Sequence, residues 1–138
     1  MPVYRNILVA IDCSPADESV ISHVSDLALE LGSTVHLLHI VHSHTLDQER
    51  DLRARAAGTL DRYSSAMKAK GLQVRIVIRS GEPEKEIIRE TAENSYDLLA
   101  MATHGHNLPE RILFGSVSRA LRDKSTIPLL LVRQDKQS

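Results

Sequence analysis

Short, almost wholly apolar runs alternate along the chain with longer stretches in which apolar residues recur every three or four positions. Continuous apolar runs read as strands covered on both faces, and the longer periodicity reads as amphipathic helices. Repeated alternation of the two predicts βα units feeding a parallel sheet. A first strand is expected over residues 4–11, with Ile7-Leu8-Val9-Ala10-Ile11 at its centre. A first helix is expected over 15–31, with Ser14 as N-cap, Pro15 at the first helical position and Gly32 at the C-terminal cap. Val20, Ile21, Val24, Leu27, Ala28 and Leu31 form its apolar face. The second strand is expected over 34–41. The second helix is expected over 47–70, with a narrow stripe of Leu52, Ala56, Leu60, Tyr63 and Met67.

The third strand, over 72–79, alternates instead. Val74, Ile76 and Ile78 lie on one face, and Gln73, Arg75 and Arg79 on the other, which marks a sheet edge. A third helix is expected over 83–95, with Ile87, Ile88 and Ala92 facing inward, and a fourth strand over 97–102. A loop from 103 to 114, a short helix over 116–123 and a fifth strand over 128–133 complete the pattern. The most continuous strands, the first, second and fourth, belong in the middle. Right-handed crossovers then favour a doubly wound α/β fold with a five-stranded parallel sheet of order 3-2-1-4-5 and helices on both faces. The 138 residues fit a single domain spanning 1–138.

Composition adds a few constraints. Aromatic residues are 3% of the chain, so the core must be aliphatic. No stretch approaches the ~20 apolar residues of a membrane helix, and no signal-peptide layout is present, so no membrane association is expected. Cys13 is the one cysteine, which excludes an internal disulfide and points to a reducing cytoplasm. A net charge of −1 gives no general pull toward nucleic acid.

In the 3-2-1-4-5 order the ligand crevice should open between the carboxyl ends of the first and fourth strands, where the order reverses. Asp12-Cys13-Ser14 follows the first strand, and the segment from Thr103-His104-Gly105 to Gly115-Ser116 follows the fourth. Glycines and a helix N-terminus suit an anion, with Ser116 and Ser118 adding hydroxyls, although a structural turn with a serine cap has the same spacing. Asp12 could bond a ribose hydroxyl or help hold a divalent cation, or could simply favour the start of the first helix. Cys13 reads as a small buried thiol rather than a nucleophile, with no histidine assigned near it. His36 and His39 have opposite strand parity, so with His42 and His44 they do not form a converging metal set. His104 and His106 could touch a phosphate or be simply solvated.

The P-loop, the dinucleotide fingerprint and the GxSxG elbow are absent. No paired acid and base commits to hydrolysis, so enzymatic activity is not expected. Arg79-Ser80-Gly81 after the third strand disfavours a phosphoacceptor receiver domain. At NILVAIDCS, LLHIV, SGEPEKEII and MATHGHNLPERILFGSVSRAL leading to PLLLVR, the chain resembles the universal stress protein A family over nearly its whole length. The nucleotide-binding branch of that family carries Gly-two-any-Gly-nine-any-Gly-Ser. This chain matches at Gly105, nine residues, then Gly115-Ser116, and departs at Ala102.

The resemblance implies that Asp12 sits at the ribose and phosphates, that Ile40 offers backbone contacts to adenine, and that Ala10 lines the base pocket. It implies that Gly105, Gly115, Ser116 and Val117 wrap the phosphates of ATP, or of ADP or AMP, with Mg2+ at Asp12. Ala102 would be tolerated at negative φ and would narrow the pocket at positive φ. The family also implies a homodimer through the last strand. The apolar run from Pro128 toward Arg133, expected at a sheet edge, gives an independent reason for such pairing. The leading expectation is an ATP-binding dimeric stress regulator or sensor. A nucleotide-free dimeric interaction module and a slow ATPase are the alternatives. The sequence names no protein partner.

Overall fold

The computed structural model describes residues 3–103, 119 and 127–133. Its elements are β1 (Asn6–Ala10), α1 (Asp17–Leu31), β2 (Thr34–Val41), α2 (Leu46–Ala69), β3 (Gln73–Ser80), α3 (Pro83–Glu93), β4 (Leu98–Thr103) and β5 (Leu129–Arg133). The sheet has the expected order, β3-β2-β1-β4-β5, and the strands pair in parallel throughout. The loop and short helix expected after β4 lie outside the described residues.

Alternate strand residues feed two cores. Ile7, Val9, Val35, Leu37, Leu98 and Ala100 pack with Val20, Val24 and Ala28 of α1 and with Ala56, Leu60 and Met67 of α2. Leu8, Leu38, Ile40, Leu99 and Met101 face the other way and pack with Ile87 of α3 and with Tyr96. This two-sided burial is why the strand runs are continuously apolar. No helix among the described residues is long and apolar enough to cross a membrane.

Local chemistry moves several expected boundaries. Helix α1 starts at Asp17 rather than Pro15, and Ala16 takes the N-cap position without a side-chain bond. Ser14 is not the cap. Its backbone carbonyl accepts the Asp17 N–H at 3.0 Å, closing a separate turn ahead of the helix. Gly32 does cap the other end, at a left-handed φ of 71°. Ala92 is exposed, where the apolar pattern placed it inward. The buried residues of α3 are Glu86, Ile87 and Glu90. Asp97 precedes β4 because its carboxylate serves β1: Oδ2 accepts the N–H groups of Arg5 and Asn6, each at 2.8 Å.

That double contact pins the start of the central strand. Asp97→Ala should lower the free energy of unfolding by about 2 kcal/mol, since two amides lose a charged acceptor. Urea denaturation measures it, and Asp97→Asn should fall between the two.

Candidate functional site

The turn after β1 is built from polar side chains bonded to its own backbone. Cys13 adopts a φ of 64°, a left-handed conformation uncommon for a residue with a Cβ. Local bonds hold it there. Ser14 N–H donates to Asp12 Oδ1 at 3.0 Å, and Ala16 N–H donates to Ser14 Oγ at 3.3 Å. Asp17, 1% exposed, ties the turn to the fold. Its Oδ1 accepts Asp12 N–H at 3.2 Å, and its Oδ2 accepts the Tyr63 hydroxyl of α2 at 3.1 Å.

Burial, and then the Asp12 carboxylate, raises the Asp17 pKa to about 7. Tyr63 is pushed above its ordinary value by burial and by Asp17. Cys13 differs from the sequence expectation on two counts. The residue is exposed rather than buried, because a left-handed turn residue projects from the surface. A histidine does stand beside it: Sγ lies 3.7 Å from His39 Nδ1. The sulfur is still partly desolvated. Burial, followed by Asp17 and Asp12, lifts its pKa to about 11 against the opposing pull of Arg62, so it is a protonated thiol and a poor nucleophile at neutral pH.

His39 Nδ1–H donates to the Ile11 carbonyl at 2.7 Å. His36 instead bonds Asn6 Oδ1 at 3.0 Å and stacks edge-on against Tyr96, on the α3 side of the sheet. Among the described residues no group of three or more His, Cys, Asp or Glu is arranged to hold a metal ion.

Above this turn, at the reversal between β1 and β4, lies a cleft of about 260 Å3. Ala10, Leu38, Ile40, Pro83, Ile87 and Met101 form its apolar walls. Asp12, Asp17 and His39 are its polar lining residues, and Ile11 and Ala102 complete the lining. The lining contains no lysine or arginine among the described residues. Thus Ala10, Asp12, Ile40 and Ala102, singled out from sequence, border one cavity. Gly105, Gly115, Ser116 and Val117 lie outside the described residues.

Cys13 is the one non-glycine at positive φ among the described residues, so the Ala102 backbone accepts a side chain without strain. Sequence reasoning missed Asp17, His39, Pro83, Ile87 and Met101 as lining residues. A second acidic residue close behind Asp12 was the available signal for Asp17. A second cavity of about 290 Å3, lined by His42, Ser43, Glu49, Ser80, Gly81 and Glu82 with Val41, opens at the ends of β2 and β3, away from the reversal.

Residues 3–133 match the sequence pattern of the universal stress protein family. The chain belongs to the universal stress protein family. It is 25% identical to universal stress protein YxiE of Bacillus subtilis, an alignment covering 95% of this chain and all of that protein. It is 24% identical to universal stress protein MJ0577 of Methanocaldococcus jannaschii, over 96% of each chain. Superposed on the solved structure of MJ0577, it gives a TM-score of 0.78 over 98% of this chain and 99% of that one. A universal stress protein from Archaeoglobus fulgidus, solved in complex with dAMP, shares the fold with a TM-score of 0.70 at 22% identity, covering 94% of this chain and 98% of that one.

The raised Asp17 pKa makes the stability of this family member pH-dependent. An unfolded aspartate titrates near ~4, so between about pH 4 and pH 7 the folded chain binds more protons than the unfolded one. Stability therefore falls as pH rises through that window. Asp17→Asn removes the dependence. Between pH 4 and pH 8 the variant should gain on the order of 2 kcal/mol relative to wild type in denaturant titrations. An unchanged gap would show that Asp17 ionises freely in the folded chain.

Proposed function

We propose that this family member binds an adenine nucleotide, ATP or its ADP or AMP forms, in the cleft at the β1–β4 reversal, and works as a dimeric sensor or regulator. The observation that carries the reading is the convergence of Ala10, Asp12, Ile40 and Ala102 on one cavity whose lining is mostly apolar and includes the Asp12 carboxylate. A planar base fits aliphatic walls, and a carboxylate is a natural acceptor for ribose hydroxyls. The dAMP-bound relative from Archaeoglobus fulgidus supports the adenine class.

In this reading Gly105, Gly115, Ser116 and Val117 supply the phosphate contacts. Backbone N–H groups suit that role because the described lining offers no basic side chain. A divalent cation would be held between Asp12 and the ligand phosphates, the usual economy of Mg2+ sites. The exposed Cys13 thiol suits a reducing compartment. The whole chain, 1–138, acts as one domain.

The dimer would form through β5. Among the described residues that strand pairs only with β4, and it leaves Leu131 38% exposed, an apolar edge that a second copy would cover by two-fold pairing.

Three experiments test the reading. Mass spectrometry of protein denatured directly from purification should release adenine nucleotide. In calorimetry, a Gly115→Val, Ser116→Ala double variant should bind ATP more than about tenfold more weakly; equal affinity would remove the site assignment. Light scattering should find two chains for wild type and one for Leu131→Lys, and a dimer that survives this change would place the interface elsewhere.

A further inference from the structure

One face of the cleft is carried by α3, through Pro83 and Ile87. The position of that helix depends on a polar cluster outside the cleft. Arg79, near the end of β3, stands in register with Ile40 on β2, so both side chains project to the α3 face. Its Nε donates to Glu86 Oε1 at 3.0 Å. Its Nη1 donates to Glu90 Oε1 at 2.7 Å and to Glu93 Oε1 at 3.2 Å. Glu90 is only 3% exposed, and its Oε2 accepts the Tyr96 hydroxyl at 2.6 Å and Asn94 Nδ2 at 3.0 Å. Glu86, 8% exposed, also binds Arg89 at 2.7 Å.

Buried carboxylates persist only when paired and hydrogen-bonded, so this helix face cannot lift away from Arg79 cheaply. Gly81 leaves room for the arrangement. At its φ of 142° any side chain is strained, and a Cβ there would lie 2.9 Å from Glu86 Cγ. One guanidinium thus fixes three successive levels of α3, and Ile87 sits between the two buried carboxylates in sequence.

We propose that Arg79 is a positioning residue that sets the gap between the α3 wall of the cleft and the opposite wall of Ala10 and Met101, and thereby selects a purine over a pyrimidine base. This rests on the nucleotide reading above. Every base has the thickness of one aromatic ring, but a two-ring base lays more area against both walls than a one-ring base does. Dispersion contacts weaken steeply when a gap opens, so a receding α3 penalises the larger base more. Among the described residues the lining has no side-chain amide, lysine or arginine, and His39 Nδ1 is already bonded to the Ile11 carbonyl, so the fit of the base between the walls is the property Arg79 controls.

The test measures AMP and CMP binding by calorimetry in wild type, in Arg79→Lys, and in an Arg79→Met, Glu90→Gln double variant. Lysine keeps the charge but cannot span three carboxylates. The double variant neutralises Glu90, the more buried carboxylate, along with Arg79, while Glu86 keeps its ion pair with Arg89, which protects the fold. In both, AMP affinity should fall about tenfold and CMP affinity about twofold, so the preference for AMP drops about fivefold while thermal unfolding stays cooperative. An unchanged AMP-to-CMP ratio alongside tight AMP binding would overturn the positioning role and leave the nucleotide reading standing. Wild type that binds neither nucleotide would overturn both.

Discussion

The parallel pairing of β1 with β2 on one side and β4 on the other is the constraint from which the rest of the structure follows. A parallel neighbour requires a crossover, and right-handed crossovers fix the side on which each helix lies. The chain moves outward from β1 to β2 to β3, so α1 and α2 share one face. It then returns across the sheet to β4, so α3 must take the other. Helices on opposite faces leave the carboxyl ends of β1 and β4 uncovered between them. The cleft is therefore a consequence of strand order, and its α3 wall stands over Ala10, Ile40 and Met101 of the strands beneath it.

The two faces are secured differently. On the α1/α2 side the contact is aliphatic, with Val20, Val24, Leu60 and Met67 all at or below 1% exposure. On the α3 side, among the described residues, one helix covers the sheet, and two of its three buried residues are glutamates. Their removal from water is tolerable because Arg79, Tyr96, Asn94 and Arg89 meet their oxygens. Replacing such a cluster with apolar residues could raise stability. What an apolar contact lacks is direction. A charged fork with several acceptors favours one placement of the helix, and that placement defines one wall of the cleft.

This difference explains what the sequence made legible. Strand order followed from continuous apolar runs plus handedness, because those features report burial, which is collective and tolerant of local error. The departures sit where a particular polar side chain overrides the pattern. Ser14-Pro15 carries a helix-start signature, yet Asp12 and Asp17 bond the intervening backbone into a turn of its own and delay α1. Ala92 continued an apolar stripe, but the attraction of Glu86 and Glu90 to Arg79 rotates α3 toward its carboxylates. Cys13 read as a buried thiol because small apolar composition says nothing about φ. In the site, Asp12 was visible as the residue closing the first strand and Ile40 through the family resemblance, whereas Pro83 and Ile87 enter only through the fold-back of α3, which no local spacing reports.

The departure at Ala102 is absorbed in the same way. The position lies in regular strand, paired with Val132 of β5, and its side chain belongs to the aliphatic cluster on the α1/α2 face. A strand residue at negative φ carries a Cβ without strain, so glycine is not demanded by the backbone here. The methyl adds packing to a core already closed by Ile7, Val9 and Ala100. Where a glycine must accept a ligand at its α-carbon, such a methyl obstructs; where the side chain turns into the core, it is one more buried group. The geometry at Ala102 is of the second kind.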